Sequence, residues 1–352
     1  MNTKITGTGS YIPSIIEYNK NFEQHEFLDE HGAEFNYSND VIIEKFKAIT
    51  GIDERRYTAA ELNTSDIAFL AAEKAIENAG INPESLDYII VAHNFGNVTY
   101  GNSQGDTVPS LASRVKHLLR IKNPGCVAYD MLFGCPGWVE SVIQAHAFIK
   151  AGMAKKCLVI GAETLSRVID KHDRDSMIYS DGAGAAIIEA IEEEGGILEH
   201  HSATFTYDEA YYIFFGRSYK NGNSNNTRYI KMHGRKIYEF AITHVPQAMK
   251  DCLDKSGVAV DDVKKFFIHQ ANEKMDDAII KKFYKLYDKD VPEGVMPMNI
   301  HKMGNSSVAT IPTLFDTVRR GKMENQDVRK GDVIIFASVG AGMNINAVVY
   351  KY

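Results

Sequence analysis

Apolar and polar positions alternate between two periods along the chain. Over 65–79, Ile67, Leu70, Ala71 and Ile76 form one apolar stripe, the spacing of a helix, with Ser65 as N-cap ahead of Asp66 and Gly80 as the stop. The run Tyr88-Ile89-Ile90-Val91 that follows is apolar at every position and reads as a buried strand. The same grammar returns later. A helix over 237–253 ends near Gly257, a short link follows, and Phe266-Phe267-Ile268 reads as a strand. Leu86 and Val263 stand at matching offsets from their glycines, as do Val91 and Ile268.

A second echo concerns two chain corners. Gly134-Cys135 precedes an amphipathic helix carrying Val139, Val142, Ile143 and Ala147, then Lys155-Lys156 and the strand run Cys157-Leu158-Val159-Ile160. Gly304-Asn305 precedes a helical stretch with Ile311, Leu314, Phe315 and Val318, then Lys330-Gly331-Asp332 and Val333-Ile334-Ile335-Phe336. The alternation predicts a layered α/β architecture, and a self-echo at so long a period predicts a duplicated unit, not a solenoid. Cys135 and Asn305 then occupy equivalent corners that can face one cavity. Glu192-Glu193-Glu194-Gly195-Gly196 reads as a surface turn, which divides the chain into halves 1–190 and 191–352.

Composition narrows the classes. With 352 residues, 44% hydrophobic and 24% charged, the chain is ordinary for a globular protein and too long for one simple core. No apolar run approaches the roughly 18–20 residues needed to span a bilayer. The start Met1-Asn2-Thr3-Lys4-Ile5 does not read as a signal peptide, so a cytoplasmic location without membrane association is expected. The net charge of −7 does not fit nucleic-acid binding by the molecule as a whole. Four cysteines without C-x-x-C spacing, and no Cys/His cluster of zinc type, predict neither a disulfide framework nor a metal site.

Four segments carry candidate chemistry. Cys135 ends an apolar segment and opens a helix, with Pro136 suited to the first turn. Backbone N–H groups and the helix dipole there lower a thiol's pKa, and the same N–H groups can hold an oxyanion. The alternative is a buried structural cysteine, the reading that fits Cys126, Cys157 and Cys252. His269 closes a buried strand, where α/β proteins place site residues, and a neutral imidazole there can hydrogen-bond a carbonyl; a satisfied structural histidine is the alternative. Asn305 offers an uncharged amide donor, or alternatively a helix N-cap. The small residues of Ala337-Ser338-Val339-Gly340-Ala341-Gly342 let backbone approach a ligand closely, and the segment lacks the ending of a phosphate loop.

In this order the segments resemble β-ketoacyl-acyl-carrier-protein synthase III and its relatives in the thiolase superfamily. Thr50-Gly51-Ile52-Asp53-Glu54-Arg55-Arg56, Ser180-Asp181-Gly182-Ala183-Gly184-Ala185, His269-Gln270-Ala271-Asn272 and Gly304-Asn305-Ser306-Ser307 carry the likeness over nearly the whole chain. It implies a thiolase-like fold, two pseudo-symmetric α/β repeats in a five-layer α-β-α-β-α arrangement. It further implies a Cys135, His269 and Asn305 triad, with the N–H groups of Cys135 and Ala341 as oxyanion hole. The implied reaction joins an acyl group carried on Cys135 to malonyl-acyl-carrier-protein with loss of carbon dioxide. The substrates are thioesters of coenzyme A or acyl carrier protein, no cofactor is called for, and a homodimer is implied. No cysteine follows Cys252, which sets aside the degradative thiolases that use a second, late cysteine.

The chain also departs from the family pattern. Lys45 and Ile49 stand where a tryptophan and an arginine grip coenzyme A, so stacking of that tryptophan on adenine is lost, while Arg174 matches a further coenzyme A-contacting arginine. Val108 stands where a bulky aromatic of the partner subunit caps the acyl pocket, and a smaller side chain admits a longer or branched acyl group. Residues 20–42 are longer and more acidic than the pattern and read as an added lid. Arg235, Lys236 and Lys274 match a basic rim for an acidic carrier protein, and solvated surface charges are the alternative. Two other readings stay open here: a specialised relative that joins longer acyl chains or makes a secondary metabolite, and a non-catalytic partner subunit.

Overall fold

The computed structural model describes residues 1–220 and 226–352. In chain order the principal strands are β1 (Asn2–Tyr11), β2 (Tyr88–Ala92), β3 (Val127–Met131), β4 (Lys156–Thr164), β5 (Asp181–Ile191), β6 (Gly196–Thr204), the hairpin β7 (Ile213–Arg217) and β8 (Arg228–Met232), β9 (Val263–Ile268), β10 (Val333–Gly340) and β11 (Asn344–Lys351). The principal helices are α1 (Asn39–Thr50), α2 (Thr64–Ala79), α3 (Leu111–Leu118), α4 (Gly137–Lys150), α5 (Gly234–Ser256), α6 (Glu273–Lys285) and α7 (Thr310–Arg319).

Two sheets repeat one plan. The first has the order β1-β5-β4-β2-β3 and the second β6-β11-β10-β9. In each, the first three strands are antiparallel and the next pairing is parallel: β4 with β2 in one sheet, β10 with β9 in the other. The place of β3 in the second sheet is taken by irregular chain, where the Val295 carbonyl accepts from the Phe266 amide at 2.9 Å. Residues 192–195 link β5 to β6, so the chain passes from one sheet to the other at the turn expected near residue 190.

The layering follows from strands apolar on both faces. Ile89, Val91, Leu158 and Ile160 of the first sheet pack outward on α2 and α3. Ile90 and Val159 face inward onto α4 and α7, which also receive Phe267, Ile334 and Phe336 from the second sheet. The other face of that sheet, with Phe266, Ile268 and Ile335, is covered by α5 and α6. Successive residues thus feed different cores, the reason these strands read as continuous apolar runs. The order is α-β-α-β-α, as the resemblance implied.

Element ends differ modestly from the sequence expectations. Helix α2 starts before Ser65, because Asn63 and Asp66 form a reciprocal capping box and the Ser65 amide is taken by Asn97 Oδ1 at 2.8 Å. Helix α5 overruns its predicted span at both ends and stops at Gly257, whose left-handed backbone closes it. Among the described residues no helix is long and apolar enough to cross a membrane.

The central layer is where the halves adhere. Phe336 is almost fully buried, with its ring 5.1 Å from Phe315, 5.7 Å from Phe267 and 5.8 Å from Trp138. Phe336→Ala is expected to cost about 3–5 kcal/mol, read as a lowered midpoint of urea unfolding; a midpoint unchanged from wild type would mean that this layer does not bind the two sheets together.

Candidate active site

Cys135 stands between β3 and α4, His269 directly after β9, and Asn305 just before the turn leading into α7. All three line one cavity of about 260 Å³, together with Ala341 and Ser307. The two equivalent corners, Cys135 and Asn305, therefore do face shared space.

The floor is set by contact between two loops. Gly134 has φ +66, and a Cβ built on it would lie 2.7 Å from the Ala341 amide nitrogen; one built on Gly340 would lie 2.5 Å from that of Cys135. Only glycine lets these backbones touch. Pro136 is the N-cap of α4 and Gly137 its first residue, so Cys135 lies just outside the helix. Burial dominates its acidity. The thiol is pushed up to about 11, with the Ser307 hydroxyl acting in the opposite direction and the Glu163 carboxylate in the same one. Desolvation of the charged sulfur thus works against the thiolate that the helix start was expected to favour, and it exceeds the opposing hydrogen bonds.

His269 is 5% exposed, and its amide donates to the Ala337 carbonyl at 3.0 Å. Burial holds its pKa down to about 4, so the ring is neutral at physiological pH. Its Nδ1 has no partner among the described residues. The rest of the motif is scaffolding: Gln270 donates to the Pro297 carbonyl at 2.7 Å and accepts from the Asn299 amide, while Asn272 caps α6 through the Met275 amide.

Asn305 is not the helix cap that its residue type allowed. Its Oδ1 accepts from the Ser307 amide at 2.8 Å, which fixes the carbonyl end and leaves the Nδ2 donors as the end available to a ligand. Its backbone is clamped on both sides, donating to Ile178 at 2.9 Å and accepting from Ser180 at 2.8 Å. The Ser180-Asp181 segment thus positions Asn305. Asp181 itself, fully buried, accepts from Thr58 and Ser166. Arg55 of the early motif is likewise structural, donating to Met177, Glu17 and Asn19.

A second cavity of about 400 Å³ opens beside the first, and the two share Ile178, Met232, Ile237, Ala271 and Met275 as walls. This is the way in. Lys45, Ile49, Arg174 and Arg235 line it. Two aromatic residues of the 20–42 segment lie against its cations: Tyr37 lines this mouth under the Lys45 ammonium at 3.7 Å, and Phe35 lies under the Arg174 guanidinium at 4.5 Å. That segment is folded against the body, with Phe22 and Phe27 buried against Ile42 and Met177. Arg235 also pairs with Glu239. Lys236 lies over the Tyr212 ring and Lys274 is exposed on α6; neither lines a cavity. Val108 is 84% exposed and does not reach the cavity of its own chain. Among the described residues no cluster of side chains fits a metal ion.

Three contributors went unassigned in the sequence. Asn94 and Ser307 line the cavity, and Glu163 lies beneath Asn94 with both hydrogen bonds coming from it. The internal echo contained a signal for Asn94, since the C-terminal end of β2 is equivalent to the strand end that presents His269. Nothing in the order of residues marks Glu163, whose neighbours lie far away in sequence.

A cysteine, a neutral imidazole and a carboxamide lining one largely apolar cavity, on this fold, mark a condensing enzyme of the thiolase superfamily, an acyltransferase. The family described as 3-oxoacyl-[acyl-carrier-protein (ACP)] synthase III matches residues 129–205, and its C-terminal part matches 253–352. The chain is 32% identical to the β-ketoacyl-[acyl-carrier-protein] synthase III of Erythrobacter litoralis, covering 99% of this chain and 98% of that one. It is 33% identical to the enzyme of that name from Aquifex aeolicus over the whole of both chains. The crystal structure of the Aquifex aeolicus 3-oxoacyl-[acyl-carrier-protein] synthase III superposes with a TM-score of 0.81 at 31% identity, covering 99% of this chain and 100% of that one. The chain belongs to the β-ketoacyl-acyl-carrier-protein synthase III family. Neither the non-catalytic subunit nor the specialised relative is favoured by this likeness.

The buried thiol has a direct signature. Alkylation of Cys135 by iodoacetamide, followed by peptide mass spectrometry, is expected to accelerate about tenfold per pH unit between pH 7 and 9 without levelling. A plateau by pH 8 would show a thiolate already formed in the folded protein.

Proposed function

We propose that the chain catalyses the decarboxylating condensation of an acyl thioester with malonyl-acyl-carrier-protein, yielding a β-ketoacyl thioester. The observation that carries this reading is that a neutral His269 and the amide of Asn305 line the same cavity as Cys135. Two uncharged donors suit an oxygen that gains charge during reaction, because they stabilise the enolate without binding the starting carbonyl as an ion pair.

In the first half-reaction the Cys135 sulfur attacks the acyl carbonyl and the carrier thiol departs with a proton, leaving an acyl-enzyme. The N–H groups of Cys135 and Ala341, brought together by the loop contact, hold the oxyanion. In the second, the malonyl thioester carbonyl lies between His269 and Asn305. Loss of carbon dioxide leaves the enolate, whose carbon attacks the acyl carbonyl. Collapse of that adduct releases Cys135 and the product. The decarboxylation drives the step, so no metal or prosthetic group enters it.

The substrates reach the cysteine through the outer cavity, whose cations Lys45, Arg174 and Arg235 suit a phosphate-bearing pantetheine arm. Lys236 and Lys274, outside the cavities, offer an acidic carrier protein a basic rim. A homodimer is the proposed assembly. In the single chain β3 is an edge strand, with Val127 46% and Leu132 67% exposed alongside Val108, and an unpaired apolar edge calls for a partner. Val108 then caps the neighbour's acyl pocket. The proposed location is the cytoplasm.

Intact mass spectrometry after incubation with a panel of acyl thioesters checks the reading. Wild type is expected to gain one acyl group and Cys135→Ser none. His269→Ala and Asn305→Ala are expected to keep acylation while losing malonyl-dependent product about 100-fold or more. Absence of acyl transfer to Cys135 with every chain length would overturn it.

A further inference from the structure

Glu163 presents a problem of burial. It sits on β4 with 1% of its surface exposed, forms no ion pair among the described residues, and burial lifts its pKa to about 7. An acid is costly in such a place unless its oxygens are hydrogen-bonded. Among the described residues both hydrogen bonds to its side chain come from one residue: the Asn94 backbone amide and the Asn94 Nδ2 each donate to Oε2 at 2.8 Å.

That arrangement imposes a direction on everything above it. At pH 8, above its pKa of about 7, Glu163 is mostly a carboxylate that only accepts, so it holds the nitrogen end of the Asn94 side chain toward itself. The same Nδ2 then donates its second proton to Ser307 Oγ at 3.1 Å. An oxygen already accepting there has its own proton free, and Ser307 Oγ directs it at Cys135 Sγ, 3.3 Å away. The donors therefore point in one sense, from Asn94 to Ser307 to sulfur. An O–H aimed at the sulfur stabilises negative charge on it, which a thiol in this buried setting needs in order to react.

We propose that Glu163 is a positioning residue for the nucleophile: through Asn94 and Ser307 it fixes a hydroxyl donor on the Cys135 sulfur. The chain spans three elements, β4, the end of β2 and the turn before α7, and it closes only when the two halves are assembled. It rests on the reading of Cys135 as nucleophile, but the donor chain itself is a statement about thiol reactivity and can be tested without an acyl substrate.

The test is the second-order rate of Cys135 alkylation by iodoacetamide at pH 8 in the full-length protein. Glu163→Leu removes the acceptor that orients Asn94, and Ser307→Ala removes the final donor; each is expected to slow alkylation about tenfold. Because both break one chain, the double variant is expected to be no slower than Ser307→Ala alone. Glu163→Gln keeps an acceptor oxygen and deletes the opposing charge, so its rate is expected to equal or exceed that of wild type. Wild-type reactivity in Glu163→Leu, or single effects that multiply in the double variant, overturns the proposal. Should Glu163→Leu not fold, Asn94→Ala replaces it in the same cycle with the same two criteria. If wild type reacts as described yet takes no acyl group from any thioester, the proposed function fails while the donor chain stands.

Discussion

The whole site depends on two backbone reversals touching where no side chain fits between them. Gly134 and Gly340 bring the Cys135 loop of one half against the Ala341 loop of the other. The approach cannot be relaxed by a rotamer change, because the atoms in contact are main chain. It also sets the Cys135 and Ala341 N–H groups close together, as the proposed oxyanion hole requires. The packing of Phe336, Phe315, Phe267 and Trp138 behind the loops holds the halves at that spacing. Catalytic geometry is here a consequence of how two similar sheets share one layer of helices.

Burial then decides the protonation states. The same low-polarity surroundings push His269 down, Cys135 up and Glu163 up, so each group is driven toward its neutral form. On the proposed mechanism this is an advantage for the imidazole, because a neutral donor can stabilise an enolate without already being charged in the resting enzyme. For the thiol it is an obstacle, and the proposed chain of directed donors meets it without a neighbouring cation. The two requirements conflict within one cavity. Hydrogen bonds of defined direction reconcile them where bulk charge would not: a cation close enough to ionise Cys135 would also alter the field at His269.

Much of the fold was legible because strands buried on both faces leave an unmistakable run of apolar residues, and because the chain states its plan twice. The strands Tyr88–Ala92 and Val263–Ile268, and the corners at Cys135 and Asn305, follow from that repetition. The cap of α2 was misplaced because Asn63, Ser65 and Asp66 all have capping side chains, and only the fold shows that the Ser65 amide is taken by Asn97. The acidity of Cys135 was misjudged for a related reason. The helix start is local and visible in sequence, whereas the residues that enclose the sulfur come in part from β10 and the hairpin β7–β8, which no short window contains. The aromatic residues at the mouth went unrecognised because they come from the 20–42 segment, not from the positions aligned with the family pattern.

Ser307 shows how closely backbone and chemistry are coupled. Its φ is +52, a left-handed conformation that a side chain makes costly by on the order of 1–3 kcal/mol. Glycine would adopt it freely. What serine adds is the oxygen that receives Asn94 and reaches Cys135, while the same unusual backbone turns its amide onto Asn305. One residue therefore fixes the carboxamide through its main chain and the sulfur through its side chain. The strain has a place to be absorbed, because Asn305 is itself clamped by Ile178 and Ser180 on the opposite half. Both groups are thereby tied to one residue, and a change in its φ would disturb the two contacts at once.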